Sequence, residues 1–435
     1  MGLEKVIGNI SLWRRVAALG IMALGVRMLA VVMLSAQLQA RAGVFGGNIR
    51  LSRGSDGYEK IAQMLASGNG YRFAPELGET MYLLPVYPTF LSLLFRFTDH
   101  HLFANQLAQS IFDSITCCLI YLIGTSCFRS QAATIGAVLY ALYPGAWIAC
   151  LRYVTEPMFT FLVTTFVFML GGYLKQGGGW RLILAGLCCA ASTLCKSVAG
   201  ALPLFLLACV VVLPLSHICR KRAIVALVIC NGLTLCAAMP WIIRNYKLTG
   251  EFVYPSTSGG IALYDAQVIV SHPRQSIRMS LNQAAAEVRQ LAQANGIRLD
   301  SRDYYPRWFY APRDEMKLDR MVRAIALERI LATPGSLAKH IWGNIWRFWV
   351  GGPTKRASLV AAFINLPLLL LALFSLRNRR DWNSPGLWLW ISACIYLYLG
   401  HVIVLGIVRY SLTVMPLVCL LGGSTADRWL SAVKK

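Results

Sequence analysis

The stretch YLLPVYPTFLSLLFRFT (residues 82–98) decides the topology of this chain. It is apolar but short, and it opens on a Pro-Val-Tyr-Pro turn. If it crosses a membrane, every later connection flips, and the basic clusters CRKR (219–222) and LRNRR (376–380) face outward. If it lies along the surface as a short interfacial or re-entrant helix, those clusters share a side with Arg14, Arg15, Arg129, Lys175, Arg181, Arg428, Lys434 and Lys435. Lys and Arg concentrate on the cytoplasmic side of membrane proteins. The second arrangement is therefore expected, with 82–98 an interfacial helix and both termini inside.

The surrounding composition sets the class. Of the 435 residues 57% are hydrophobic and only 14% charged, and the mean hydropathy is +0.55. That excludes an ordinary soluble domain and indicates an all-α polytopic membrane protein. The net charge of +23 belongs to helix flanks and topology and does not call for nucleic acid. The 13 cysteines lie mostly in apolar runs without metal-binding spacing, and read as small buried hydrophobes. Apolar windows predict about ten transmembrane helices at 16–38, 104–124, 131–149, 157–174, 182–200, 201–217, 223–243, 357–376, 385–406 and 410–424. The first has no clear small-residue cleavage site after it and reads as an uncleaved span.

This topology divides the chain into an N-terminal transmembrane module (1–246, with an outer loop at 39–103), an outer-face helical segment (247–356) and C-terminal transmembrane helices (357–435). Within the middle segment, SLNQAAAEVRQLAQANG (280–296) predicts a helix stopped by Gly. Residues 314–352 predict helix broken at Pro334, ending on Trp342, Trp346, Phe348 and Trp349, which suit a membrane interface.

The same topology brings Asp56, Glu156, Lys196, Arg244 and Arg409 to one outer face. Asp56, in RGSDGYEKIA (53–62), is positioned to cap the helix starting at Tyr58, or to accept a proton at the membrane boundary. Glu156, in YVTEP, precedes a span and complements its N-terminal dipole. Lys196 stands between two apolar runs, where a cation is costly and marks a functional-site hypothesis, although snorkelling to the interface is the common alternative. Arg244 in PWIIRNY and Arg409 in RYSLTVMP are interfacial cations able to grip phosphate oxygens. Arg27, inside the first span, calls for a partner on a neighbouring helix.

Taken in order, Asp56 with YEKIA, PVYPTFLSLLF, YPGAW…TEPMF, the membrane-edge Lys, PWIIRNY and the late RY…P resemble the GT-C glycosyltransferases. The branch is that of bacterial aminoarabinose transferases and protein O-mannosyltransferases, which use polyprenyl-phosphate sugars. The resemblance runs over roughly residues 10–425 and implies a GT-C-like core with interfacial helices. It implies catalytic roles for Asp56 and Glu156, and lipid-phosphate binding by Lys196, Arg244 and Arg409. Tyr58, Tyr87 and Arg152 are assigned to the sugar or acceptor. The chain departs from the pattern at Gly57, where the family often has a second acid. It departs again at Leu83-Leu84, where aminoarabinose transferases carry Glu-Lys; Glu76 or Glu79 is a spatial substitute.

A polyprenyl-phosphate sugar brings its own leaving group, so the chemistry needs a base at the acceptor hydroxyl and positive charge on the departing phosphate. Asp56 as base, with in-line displacement and inversion, meets the first need; the cations meet the second. The expected partners are a polyprenyl-phosphate-linked sugar, a glycan, lipid or protein acceptor, and membrane lipids. No cofactor is specified, and the two acids leave a divalent ion as an open option. The competing reading is a transporter or flippase for a lipid-linked or anionic substrate, which would show inverted repeats and midplane charges.

Overall fold

The computed structural model describes residues 10–44, 57–98, 101–213, 219–300, 309–377 and 384–433. Asp56 lies outside the described residues. The helices in chain order are α1 (Ile10–Val44), α2 (Tyr58–Ala66), α3 (Val86–Phe97), α4 (His101–Cys127), α5 (Ser130–Ala141), α6 (Pro144–Cys150), α7 (Glu156–Gln176), α8 (Gly179–Cys195) and α9 (Leu202–Val212). They continue as α10 (Arg220–Thr249), α11 (Gly259–Ser271), α12 (Ile277–Ala294), α13 (Pro312–Leu331), α14 (Pro334–Val350), α15 (Lys355–Leu376), α16 (Pro385–Val404), α17 (Val408–Ser411) and α18 (Met415–Val433). Among the described residues the only strand-like pairing is one isolated bridge between Leu299 and Phe309. The protein is an all-α, multi-pass membrane protein.

Helices occupy all ten predicted windows. Among the described residues, six helices can cross a membrane alone by length and composition: α1 (over Ile10–Leu34), α4, α7, α10, α15 and α16. The bent pair α5–α6, with an angle of 49°, makes up to seven. Pro144 opens α6, a first-turn position that needs no amide donor. α8 and α9 are apolar but shorter. α18 runs later than its window: VRYS (408–411) forms the separate turn α17, and the helix breaks before Met415 and Pro416. α18 is a core helix buried from Met415 to Thr425. It crosses α5 so closely that a Cβ on Gly423 would stand 2.4 Å from the nitrogen of Gly136, the close approach that small residues permit between membrane helices.

Only Val86–Phe97 of the stretch 82–98 is helical, because Pro85 and the turn before it cannot extend the helix backward. At 1.5 Å per residue it is roughly 18 Å long, well short of the ~30 Å hydrocarbon core. The basic ends of the spans meet at the opposite end of the bundle: Arg15 bonds Ser130 at 2.6 Å, Cys127 meets Ser384 at 3.1 Å, and Arg129 pairs with Asp427 at 3.6 Å.

Two hydrophobic clusters organise the interior. One lies among the spans and includes Tyr140, Phe166, Trp390 and Leu420. The other joins α2 and α3 to Phe159 of α7, Trp241 of α10, and Ile261, Val288 and Leu318 of α11–α13. The polar middle segment thus shares its core with the ends of the spans. Within it, α11 and α13 touch at Gly260, where a Cβ would meet the Asp319 carbonyl oxygen at 2.1 Å. Thr333 caps α14 by accepting from the Ser336 amide at 3.1 Å, which together with Pro334 explains the predicted break.

Candidate active site

Three amides near the start of α4 shape the turn that delivers Glu156. Asn105 donates to the Arg152 carbonyl at 3.0 Å, Gln106 to that of Leu151 at 3.2 Å and Gln109 to that of Val154 at 2.6 Å. Glu156 then opens α7 and is fully buried. Its Oε1 faces two cations, Lys196 Nζ at 3.0 Å and Arg409 Nε at 3.1 Å. Its Oε2 is buried and accepts no hydrogen bond among the described residues.

Each cation arrives from a break in helix. Lys196 follows α8 in an extended conformation (φ −151°), which ends the helix and turns the side chain inward. Arg409 lies in α17, reached after α16 ends. That end is held by α14: Asn344 donates to the Val402 carbonyl at 3.0 Å, and His340 Nε2 meets the Ile403 carbonyl at 2.9 Å. The Val408 amide bonds Gly351 at 3.0 Å. Tyr410 supplies a ring 4.0 Å from Lys196 Nζ and 5.2 Å from the Arg409 guanidinium, an attractive arrangement for cations over a π-face. His401 stacks on Tyr410 at 4.4 Å.

Arg152 adds to this charge. Desolvation, then the neighbouring Arg409 and Arg278, pull it below the ordinary guanidinium range, while Glu156 pulls the other way. Lys196, Arg409 and Arg152 thus stand near one carboxylate among the described residues.

Arg244 belongs to a second group. Its Nη2 pairs with Glu79 at 2.9 Å, and its Nη1 donates to the Thr80 carbonyl at 2.8 Å and Asn245 Oδ1 at 3.1 Å. Trp241 and Tyr71 flank it at 4.6 and 5.2 Å. Three of its five N–H groups are engaged in these bonds, and the side chain is 22% exposed. Glu79, named above as a spatial substitute, is thus the counter-ion of Arg244.

Tyr87 has no exposed surface; its hydroxyl donates to Asn105 and accepts from Gln109, both at 2.9 Å. As placed, it braces the turn before Glu156 and offers nothing to a ligand directly. Tyr58 packs edge-on against it at 5.0 Å, so the start of α2, two residues beyond Asp56, lies beside this network. Tyr410, His401, Asn105 and Gln109 escaped the sequence reading. A lone His in an apolar run, and amides four apart on an apolar helix, were the available signals.

For a metal the residues fit poorly. Among the described residues no three His, Cys, Asp or Glu side chains converge, and Glu156 Oε1 already faces two cations.

Residues 84–243, which include Glu156 and Lys196, match the family described as dolichyl-phosphate-mannose-protein mannosyltransferase. The fold resembles the oligosaccharyltransferase AglB of Archaeoglobus fulgidus, solved with an inhibitory peptide and a dolichol-phosphate: TM-score 0.57, 13% identity, 98% of this chain and 51% of that one. The same archaeon's oligosaccharyltransferase tethered to an acceptor peptide gives 0.56, 15%, 98% and 50%. ArnT of Cupriavidus metallidurans, bound to undecaprenyl phosphate, overlaps more loosely: 0.38, 13%, 87% and 74%. The chain spans about half the length of the archaeal structures it matches, and at these identities the likeness concerns the fold alone. No curated protein matches the sequence. Residues 84–243 thus match a mannosyltransferase family, and the chain as a whole shares the fold of the archaeal oligosaccharyltransferase.

Proposed function

We propose that the protein transfers a sugar from a polyprenyl-phosphate donor of the undecaprenyl-phosphate type to an envelope glycan, lipid or protein on the outer face of a bacterial inner membrane. One observation carries the reading: Lys196 and Arg409 share a single oxygen of buried Glu156, so that among the described residues two cations meet one carboxylate where the spans meet the short helix α3. A lipid-linked phosphate places its charge at that depth. The dolichol-phosphate in the AglB structure and the family's dolichyl-phosphate-mannose description agree in donor class.

In the proposed step the acceptor hydroxyl oxygen attacks the anomeric carbon. The bond from that carbon to the phosphate oxygen breaks, and its electron pair leaves with the polyprenyl phosphate. Lys196 and Arg409, with Arg152 at the rim, stabilise the developing charge in a site of low dielectric. Arg244 approaches the donor with its remaining N–H groups. Asp56 takes the hydroxyl proton, and inversion follows from in-line attack. Glu156 aligns the cations; with Oε1 already held between them, it is a poor base. Tyr58 lines the acceptor side. The middle segment, residues 247–356, covers the outer face, between the modules 1–246 and 357–435.

The test is transfer from labelled polyprenyl-phosphate sugars by the protein in nanodiscs, with mass spectrometry of envelope glycans from cells with and without the gene. Asp56→Asn should abolish transfer and retain polyprenyl-phosphate binding. Undiminished transfer by folded Asp56→Asn protein would sink the mechanism, and donor movement without transfer would favour a flippase.

A further inference from the structure

Glu315, on α13, is 1% exposed and has no cation within ion-pair distance among the described residues. Instead three donors converge on it: the Thr80 hydroxyl at 2.7 Å on Oε2, the Met81 amide at 2.9 Å on Oε1, and the Thr257 hydroxyl on Oε1. A buried carboxylate without a counter-ion is expensive, even when hydrogen-bonded. Its contacts therefore point to placement more than to stability. They tie together segments far apart in sequence, and a further bond from the Thr257 amide to the Met81 carbonyl at 3.3 Å closes the clip.

The clipped segment is the one that holds Arg244. Thr80 gives its side chain to Glu315 and its carbonyl to Arg244 Nη1, while adjacent Glu79 takes Nη2. We propose that Glu315 is a positioning residue for Arg244, with the middle segment setting the direction of a cation on a transmembrane helix. The role rests on the proposed contact between Arg244 and the donor phosphate. It follows that rotation or loss of the clip swings Glu79 and the Thr80 carbonyl away, and Arg244 meets the phosphate in the wrong orientation.

The test is a cycle of Glu315→Ala, Arg244→Ala and the double variant in nanodiscs. It reads kcat and KM for the polyprenyl-phosphate sugar, and Kd for farnesyl phosphate as a probe of binding. Glu315→Ala should raise KM and Kd about tenfold with kcat little changed, and add nothing on the Arg244→Ala background. Glu315→Gln, which keeps an oxygen for the Met81 amide, should recover most of the loss. Should Glu315→Ala fail to fold, Thr257→Val removes one donor and should shift KM and Kd the same way, by about threefold. Native KM and Kd in the folded variants, or an effect that multiplies fully with Arg244→Ala, would overturn the proposal. Wild-type protein that binds farnesyl phosphate but transfers no sugar would refute the transferase reading, and the cycle in Kd would still decide the role of Glu315. Wild-type protein that binds no phosphate overturns both.

Discussion

Asp113 and Glu156, two of the buried carboxylates among the spans that face cations, differ in what is left over. Asp113 on α4 meets Arg27 of α1, with Nε at 2.6 Å and Nη2 at 2.5 Å from Oδ2. The Tyr140 hydroxyl donates to its other oxygen at 2.5 Å. Arg27 Nη1 spends itself on the carbonyls of Ala23 and Ala141, the latter at the break between α5 and α6. One charge meets one charge, both oxygens are engaged, and neither residue is exposed. Around Glu156, by contrast, two cations crowd one oxygen, the other oxygen accepts nothing among the described residues, and Lys196 and Arg409 keep 14% and 29% of their side chains exposed. A closed neutral pair suits holding helices together. An open group with surplus charge suits receiving an anion.

Removing one partner from each site separates the two roles. Asp113→Ala should cost about 3–5 kcal/mol of stability, because it leaves an uncompensated charge in the bundle. Little folded protein should be recovered in detergent, and the double variant Arg27→Leu, Asp113→Leu should restore much of the loss. Lys196→Ala or Arg409→Ala should leave the melting temperature near wild type and lower transfer about 10²–10³-fold, the scale of a lost electrostatic contact to a leaving group. If either variant unfolds while keeping its activity per folded molecule, the two regions are not different in kind.

Glu315 sharpens the comparison as a buried carboxylate with hydroxyl and amide donors in place of a cation. Burial pushes its pKa from 4.5 up to about 7, against the opposing bonds from Thr257, Thr80 and the Met81 amide and the field of Arg244. Between those values the folded chain keeps a proton that the unfolded chain has released. Stability is therefore greatest below 4.5, falls as pH rises through that window by roughly 3 kcal/mol in all, and is level above it. Glu315→Gln should flatten that limb in thermal unfolding measured from pH 5 to 8; an unchanged limb would assign it to other groups. The smallest effect concerns Tyr410: replacement by Leu removes the ring beside Lys196 and Arg409, worth about 1 kcal/mol, and should weaken farnesyl phosphate binding about fivefold. Replacement by Phe should not.

Much of this was legible in the chain. Hydropathy placed a helix in each of the ten windows, and of the basic flanks Arg15 and Arg129 meet neighbouring helices at Ser130 and Asp427. Pro85 and Pro334 marked real helix boundaries, and Arg27 announced a missing partner. The location of Asp113 was equally visible, an acid in an apolar run, but pairing it with Arg27 required knowing that α1 and α4 pack together. Glu315 left no signal, because an acid in PRDEMKLDR looks like any solvated helix face until the fold buries it.

Composition and periodicity by themselves determined that this is a multi-pass helical membrane protein, since burial in lipid and the cost of charge there act locally along the chain. The tertiary structure alone decided the grouping. Glu156, Lys196 and Arg409 come from three helix breaks more than two hundred residues apart in extent, and Arg244 is drawn into a separate pair with Glu79. Charge excess is a property of neighbours in space, and hydropathy carries no record of which neighbours a residue will have.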